Sequence, residues 1–366
     1  MTRIEILKIH PVAIPLIHPY KSATRMATHS QDVIVKLIAS DGAVGWGAGA
    51  LRPFPTGESL ASAVRVLEEY LVPAVKGQNP FDREKIVQAM DSALPFHHSP
   101  KAAVDCALHD LLGKMLGCPA YDLLGGKVRD EMPAFDILPL ESPERTAELA
   151  AEAVAAGVTA FKVKMNRDVA TSIARVSAAR RAMGDEAILV VDANMSWTPK
   201  LAVQVCARIE EFEVAMIEQP VPGNDLDGLE FVTKRTRVPI CADESMRPDY
   251  IAELARRRAA DVVNIKVNRE GGLLHSKKVA AVVEIHGIEG LCGSVVHSAL
   301  SDAACAHFFA STPCIVYNES GKAPAWHDAD IVTGFRVERG KVKVPEGPGL
   351  GVEVDESALK RFRADI

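Results

Sequence analysis

Thr159-Ala160-Phe161-Lys162-Val163-Lys164 is an apolar run closed by a lysine, and four later runs take the same form: Ile188-Leu-Val-Val-Asp192, Val214-Ala-Met-Ile-Glu218, Val238-Pro-Ile-Cys-Ala-Asp243 and Asp261-Val-Val-Asn-Ile-Lys266. The closing residues are separated by 28, 26, 25 and 23 positions. Each interval holds one strand and one helix, and a parallel barrel sets the ends of its strands around one rim. Five residues distant in sequence then face one pocket: Lys164, Asp192, Glu218, Asp243 and Lys266.

Outward from these runs the pattern continues. Ala134–Leu138 precedes them, and Gly290–Val296 and Ile315–Asn318 follow, making eight short Val- and Ile-rich segments separated by helical patterns such as 143–156, 170–183 and 200–212. Such segments are strands buried on both faces. A closed barrel is favoured over an open doubly wound sheet, because polar residues recur at the ends of consecutive strands rather than at one switch point. Residues 1–130 read differently. Alternating strands over 5–13 and 32–38, an Asp41-Gly42 hairpin turn and helical patterns over 57–75 and 99–116 indicate an α+β capping domain. The expected division is a capping domain over 1–130, a catalytic barrel over 131–334, and a tail over 335–366 that returns to complete the cap.

Composition narrows the function. With 366 residues, 48% apolar and 25% charged, a net charge of −6 and no long basic run, the chain has no footprint of a nucleic-acid binder. No apolar stretch of roughly 18 residues suggests a membrane span, and the first residues lack a secretory signal pattern. A cytoplasmic location is expected. The seven cysteines are scattered and never form a Cys-x-x-Cys pair, so they read as reduced and mostly buried. A nicotinamide-dependent oxidoreductase is disfavoured because no Gly-x-Gly-x-x-Gly follows a strand.

Strand alternation gives the rim its chemistry. Lys162 and Lys164 point one way and Phe161 and Val163 the other; Val262, Asn264 and Lys266 share a face in the same manner. Asp192, Glu218 and Asp243, without an accompanying histidine or cysteine pair, suit a hard divalent cation, Mg²⁺ first and Mn²⁺ as the alternative. Asp243 and Glu244 are expected to face opposite ways, and spacing alone does not choose the ligand between them. Lysines beside such a cation suit removal of the α-proton of a carboxylate, with the enediolate stabilised electrostatically. A lysine base must be brought from about 10.4 to about 7–8, a shift expected here from Lys162, the cation and burial.

These residues resemble the enolase superfamily and, within it, the muconate-lactonizing-enzyme subgroup of the mandelate racemase/muconate lactonizing enzyme family. The matching motifs are Lys162-Val163-Lys164, Asp192-Ala193-Asn194, Glu218-Gln219-Pro220, Ala242-Asp243-Glu244-Ser245 and Asn264-Ile265-Lys266 with Gly271-Gly272, together with Asp105 to Lys114, Leu123-Leu124-Gly125 and Pro348-Gly-Leu-Gly351. The resemblance implies a modified (β/α)₇β TIM-type barrel under an N-terminal α+β cap. It implies Lys164 and Lys266 as acid/base pair, Lys162 as support to Lys164 and a contact to the substrate carboxylate, and Asp192, Glu218 and Asp243 as metal ligands. Asn194 and Glu244 would stand behind them, and a homo-oligomer is expected.

The activity expected on this basis is isomerisation of a small-molecule carboxylate, as a cycloisomerase or a racemase/epimerase. The alternatives are dehydration of a hydroxy acid on the same scaffold and a catalytically silent barrel with a structural or binding role. A lysine at the sixth strand departs from mandelate racemase proper, and the seventh strand ends on His297 where many subgroup members carry Glu. At the eighth strand, Tyr317-Asn318-Glu319-Ser320 lacks the Asp-x-Asp of dipeptide epimerases, which ranks dipeptides low. Substrate contacts are expected from His297, Glu319 and two cap loops, 17–29 and 47–57, with Tyr20 and Arg52 foremost and His18, Lys21, Arg25 and Phe54 beside them.

Overall fold

A computed structural model describes residues 2–21 and 26–365, apart from the side chains of Lys21, Phe54 and Pro55. Arg25 and the side chains of Lys21 and Phe54 therefore lie outside the described residues.

The expected barrel is present. Eight parallel strands, Asp136–Leu138, Ala160–Lys164, Ile188–Asp192, Met216–Glu218, Ile240–Ala242, Val262–Ile265, Glu289–Cys292 and Ile315–Asn318, follow one another in sheet order. The seam between first and eighth is bridged where Phe135 N donates to Asn318 O at 3.0 Å. Between the strands run the helices Pro143–Ala155, Val169–Met183, Pro199–Ile209, Leu226–Thr233, Ile251–Arg257, Leu273–Ile285 and Ala299–Ala310. Local chemistry starts several of them. Ser142 and Thr198 accept from the backbone N–H three residues on, and Pro143 and Pro199 occupy first-turn positions where no N–H is needed.

Strand alternation sorts the core into layers. Phe135, Ala160, Val190, Met216, Cys241, Val262 and Leu291 fill the barrel interior, while Phe161, Val163, Val191, Ile217, Val263 and Ile265 pack under the helices. Lys162 and Lys164 continue the inward row begun by Ala160, so the interior turns polar towards the strand C-termini. Parallel register then sets Lys164 opposite Asp192 and Asp192 opposite Glu218.

The cap is a three-stranded antiparallel sheet, Ile4–Lys21, Met26–Ala39 and Val44–Ala50, covered by helices. Its first two strands extend well beyond the apolar alternation that marks them in the sequence, because pairing continues through Pro15↔His29 and Tyr20↔Ala27. A helix over Arg83–Ala93 is also present that the sequence pattern did not single out. The third strand carries glycine at every second position. A Cβ on Gly45, Gly47 or Gly49 would fall 2.1–2.2 Å from the backbone oxygens of Ala107, Ala103 and Ser99, so helix His98–Leu116 lies directly on the strand backbone. The C-terminal segment returns to the first strand, where Ala13 N donates to Phe362 O and Ala364 N to Pro11 O.

Cap and barrel are tied beside the rim. The side-chain amide of Asn268, two residues past Lys266, accepts from Ala50 N and donates to Ala50 O, each at 2.7 Å, and donates to Ser99 Oγ at 3.0 Å. Asn268 thereby takes the place of a neighbouring strand at the end of Val44–Ala50.

Candidate active site

A cavity of about 110 Å³ opens at the C-terminal rim, between barrel and cap. Lys164, Asp192, Asn194, Glu218, Asp243, Glu244, Lys266, His297, Glu319, Tyr20 and Arg52, all singled out in the sequence, line it. Lys162 is absent from that lining. It is fully buried, and its ammonium contacts Glu218 Oε2 at 2.5 Å and Glu319 Oε2 at 3.1 Å.

The other two lysines each hold one acid. Lys164 Nζ donates to Asp192 Oδ2 at 2.5 Å and to Asn194 Oδ1 at 3.3 Å. Lys266 Nζ donates to Asp243 Oδ2 at 2.7 Å. Asp192 also accepts from Asn194 N at 2.9 Å, which fixes the turn where Asn194 and Met195 adopt positive φ. Lys164 and Lys266 end the second and sixth of eight strands, four apart around the ring and hence on opposite walls.

These acid partners shift both lysines upward. Burial pulls Lys164 down, but Asp192 outweighs it and the group titrates above its ordinary value; Lys266 rises likewise against burial because of Asp243. Lys162 is also held up, its carboxylate neighbours overcoming burial. The acids respond unequally. Glu218 is pushed up to about 8 by burial, only partly offset by Lys162, with Asp192 and Asp243 adding to the rise. Asp243 is held well below the usual carboxylate range: burial opposes this, but Lys266 and Arg269 prevail.

Asp243 and Glu244 both line the cavity, contrary to the alternation expected of them. The fifth strand ends at Ala242, and past that point the backbone no longer alternates. Glu244 is pushed up to about 7 by burial and by Asp243, and its Oε2 has no hydrogen-bond partner.

Behind these residues stand supporting contacts, of which those of Arg269, Glu270 and Asp302 carry no clear signal in an isolated sequence. Gln219 Oε1 accepts from Asp243 N at 2.9 Å and from Ser245 N at 3.0 Å, orienting the fifth-strand turn. Asn264 donates to Glu218 Oε1 at 3.0 Å. Arg269 donates to Asp243 Oδ1 at 2.6 Å and Asp243 O at 2.8 Å and pairs with Glu270, a glutamate with no exposed surface. His297 Nε2 meets Asp302 Oδ1 at 2.7 Å.

The donor set suits a divalent cation by chemistry. It is all oxygen, its carboxylates burden one another, and Glu244 keeps an unpartnered buried oxygen. Among the described residues no three acidic, His or Cys side chains are arranged as a ready cage; Asp192, Glu218 and Asp243 are turned to their lysines instead. An ion would therefore exchange with these ammonium groups.

Fold and rim together define an enolase-superfamily enzyme. A family model described as enolase C-terminal domain-like matches residues 145–358, and one described as mandelate racemase/muconate lactonizing enzyme, N-terminal domain, matches residues 4–125. Muconate cycloisomerase 1 of Rhodococcus opacus is 32% identical over 99% of this chain and 99% of its own. The crystal structure of N-succinyl Arg/Lys racemase from Bacillus cereus superposes with a TM-score of 0.96 at 30% identity, covering 99% of this chain and 98% of that one. That of the dipeptide epimerase from Enterococcus faecalis V583, complexed with Mg and L-Leu-L-Tyr, gives 0.92 at 32% identity over 96% and 99%. The chain belongs to the mandelate racemase/muconate lactonizing enzyme family of the enolase superfamily, and it is an isomerase.

Proposed function

We propose that this chain is a divalent-cation-dependent racemase or epimerase acting at the α-carbon of a small carboxylate, with Lys164 and Lys266 as the acid/base pair. The observation that carries this reading is their placement on opposite walls of one cavity. A neutral lysine on one wall takes the α-proton, and the ammonium on the other returns a proton to the opposite face. The atoms balance: the substrate leaves with inverted configuration and the two lysines have exchanged protonation states. Cycloisomerisation, the activity named in the Rhodococcus opacus relative, needs only one of the lysines.

Asp192, Glu218 and Asp243 would hold Mg²⁺, with Mn²⁺ as the substitute. The named Mg complex of the Enterococcus faecalis epimerase supports that choice. When bound, the ion supplies positive charge against the substrate carboxylate as the α-proton leaves. Asn194 orients Asp192, Glu244 stands beside Asp243, and Lys162 holds Glu218 and Glu319 from below. Seven free cysteines accord with a reducing, cytoplasmic setting, and no described helix is long and apolar enough to cross a membrane. The reading extends to a homo-oligomer and to a domain boundary near residue 130, with 335–366 completing the cap. The bonds from Ala13 and Ala364 to the two ends of that contact support the last point.

The test is α-proton exchange in D₂O across a panel of chiral carboxylates with Mg²⁺ present. Racemisation is expected with one member of the panel. Lys164→Ala and Lys266→Ala are expected each to abolish exchange from one enantiomer, and absence of exchange with every member would overturn the reading.

A further inference from the structure

One wall of the cavity is not engaged by the proton-transfer chemistry. Past the seventh strand the chain runs through Ser294 to Ser298 into helix Ala299–Ala310, and His297 and Ser301 reach the cavity from this segment. Arg52 reaches the same wall from the cap and donates through Nη2 to Val296 O at 2.8 Å. None of these contacts involves Asp192, Glu218 or Asp243.

His297 is almost completely buried, at 2% exposure, and its Nε2 is fixed on Asp302. Its Nδ1 has no partner, nor does Oγ of the likewise buried Ser301. A buried polar atom left unpaired is destabilising, so a role confined to packing would leave two such atoms on one cavity wall. Asp302 keeps the ring in place from behind, since its carboxylate also accepts from Gly321 N at 2.6 Å and Ala323 N at 2.9 Å. The Nε2 bond presents Nδ1 as the free ring atom. Burial works against the imidazolium, but Asp302 and then Asp32 raise its titration above the ordinary value, and the Arg52 guanidinium, which carries donors only, stands at the same wall.

We infer that His297, Ser301 and Arg52 form a distal subsite that takes an acceptor oxygen, an acyl carbonyl or a carboxylate, on the substrate arm remote from the reacting carbon. This rests on the proposed α-proton chemistry and names the substrate class for it. The same wall disfavours an ammonium group. Asp302 is committed to three donors, Glu319 is paired to Lys162, and Asp32, which accepts from Ser298 N at 3.2 Å, does not line the cavity. Amino acids acylated on nitrogen, or carboxylates with a second oxygen-bearing arm, fit this arrangement; free dipeptides with an ammonium end do not.

The experiment compares kcat/KM for α-proton exchange, with Mg²⁺, for one amino acid presented four ways: N-succinyl, N-acetyl, N-glycyl with its free ammonium, and unmodified. The wild-type chain is expected to prefer an acylated form. A preference for N-succinyl over N-acetyl assigns the acceptor as a carboxylate, and equality assigns the carbonyl. His297→Leu should lower the ratio of acylated to unmodified substrate by roughly 10- to 100-fold, with His297→Gln restoring part of it. Ser301→Ala should lower it to a smaller extent and serves if the leucine variant does not fold. The inference is overturned if the ratio stays constant across these variants while exchange persists, or if the N-glycyl form is preferred. Exchange with none of the four, but with other carboxylates, also overturns it; exchange with no carboxylate at all overturns the enzymatic reading beneath it.

Discussion

Lys164 Nζ and Asp192 Oδ2 stand 2.5 Å apart on neighbouring strands, the proposed lysine base held in its charged form by an acid of the proposed metal set. Lys266 and Asp243 repeat the relationship at 2.7 Å. An ammonium so held cannot accept a proton. Chelation of divalent ions is therefore expected to abolish exchange, and added Mg²⁺ or Mn²⁺ to restore it. Melting temperature should rise with Mg²⁺, reaching about 2.7 kcal/mol of added stability at a hundredfold excess over Kd. Full activity after exhaustive chelation would sink the assignment.

Gly293, just past the seventh strand, bears on the same acids. A Cβ there would fall 1.8 Å from Asn264 Oδ1, forcing Asn264 off Glu218. Gly293→Ala should weaken Mg²⁺ binding roughly 10-fold or more, as loss of a residue orienting a metal ligand does. Titration calorimetry with Mg²⁺ alone measures it, and unchanged affinity would contradict the role given to Asn264.

Arg269 balances two acids, Asp243 and the fully buried Glu270, which burial pushes up to about 7 despite the guanidinium. Arg269→Met strands that second carboxylate and is expected to cost about 3–5 kcal/mol in urea unfolding. Adding Glu270→Gln should recover part of the loss; a strictly additive double variant would show that the two residues do not act as a pair.

His307 supplies a pH dependence remote from the rim. Its Nδ1 accepts from Tyr121 N at 3.2 Å, and burial lowers the imidazole to about 4 from its ordinary 6.5. The unfolded chain then takes up a proton before the folded one does. The stabilisation is complete above pH 6.5 and is lost as pH falls towards about 4, a total on the order of 3 kcal/mol. Urea unfolding between pH 7.5 and 4.5 should show the decline, and His307→Asn should flatten it.

The legible part of this molecule is the part governed by periodicity. Lys164, Asp192, Glu218 and Lys266 announce themselves because strand length, helix length and parity repeat, and repetition puts them on one rim. Parity fails where a strand stops, and so Glu244 faces the cavity beside Asp243 instead of away from it. Charge follows space in the same way: Lys162 neighbours Lys164 in sequence, but it is Asp192, 2.5 Å from the Lys164 ammonium, that raises its titration. Arg269, Gln219 and Asp302 act through contacts whose partners lie 5 to 26 residues away in turns. No interval in the sequence marks such turns.

The grip of Asn268 on Ala50 has a consequence for how substrate arrives. It joins the end of a cap strand to the segment that follows Lys266, and Ser99 binds the same amide from the cap helix. A rigid swing of the whole cap would break all three of these bonds at once. The Asn268 contact thus opposes any opening of the cavity that parts cap from barrel at this point, and leaves local rearrangement as the route that keeps these bonds intact.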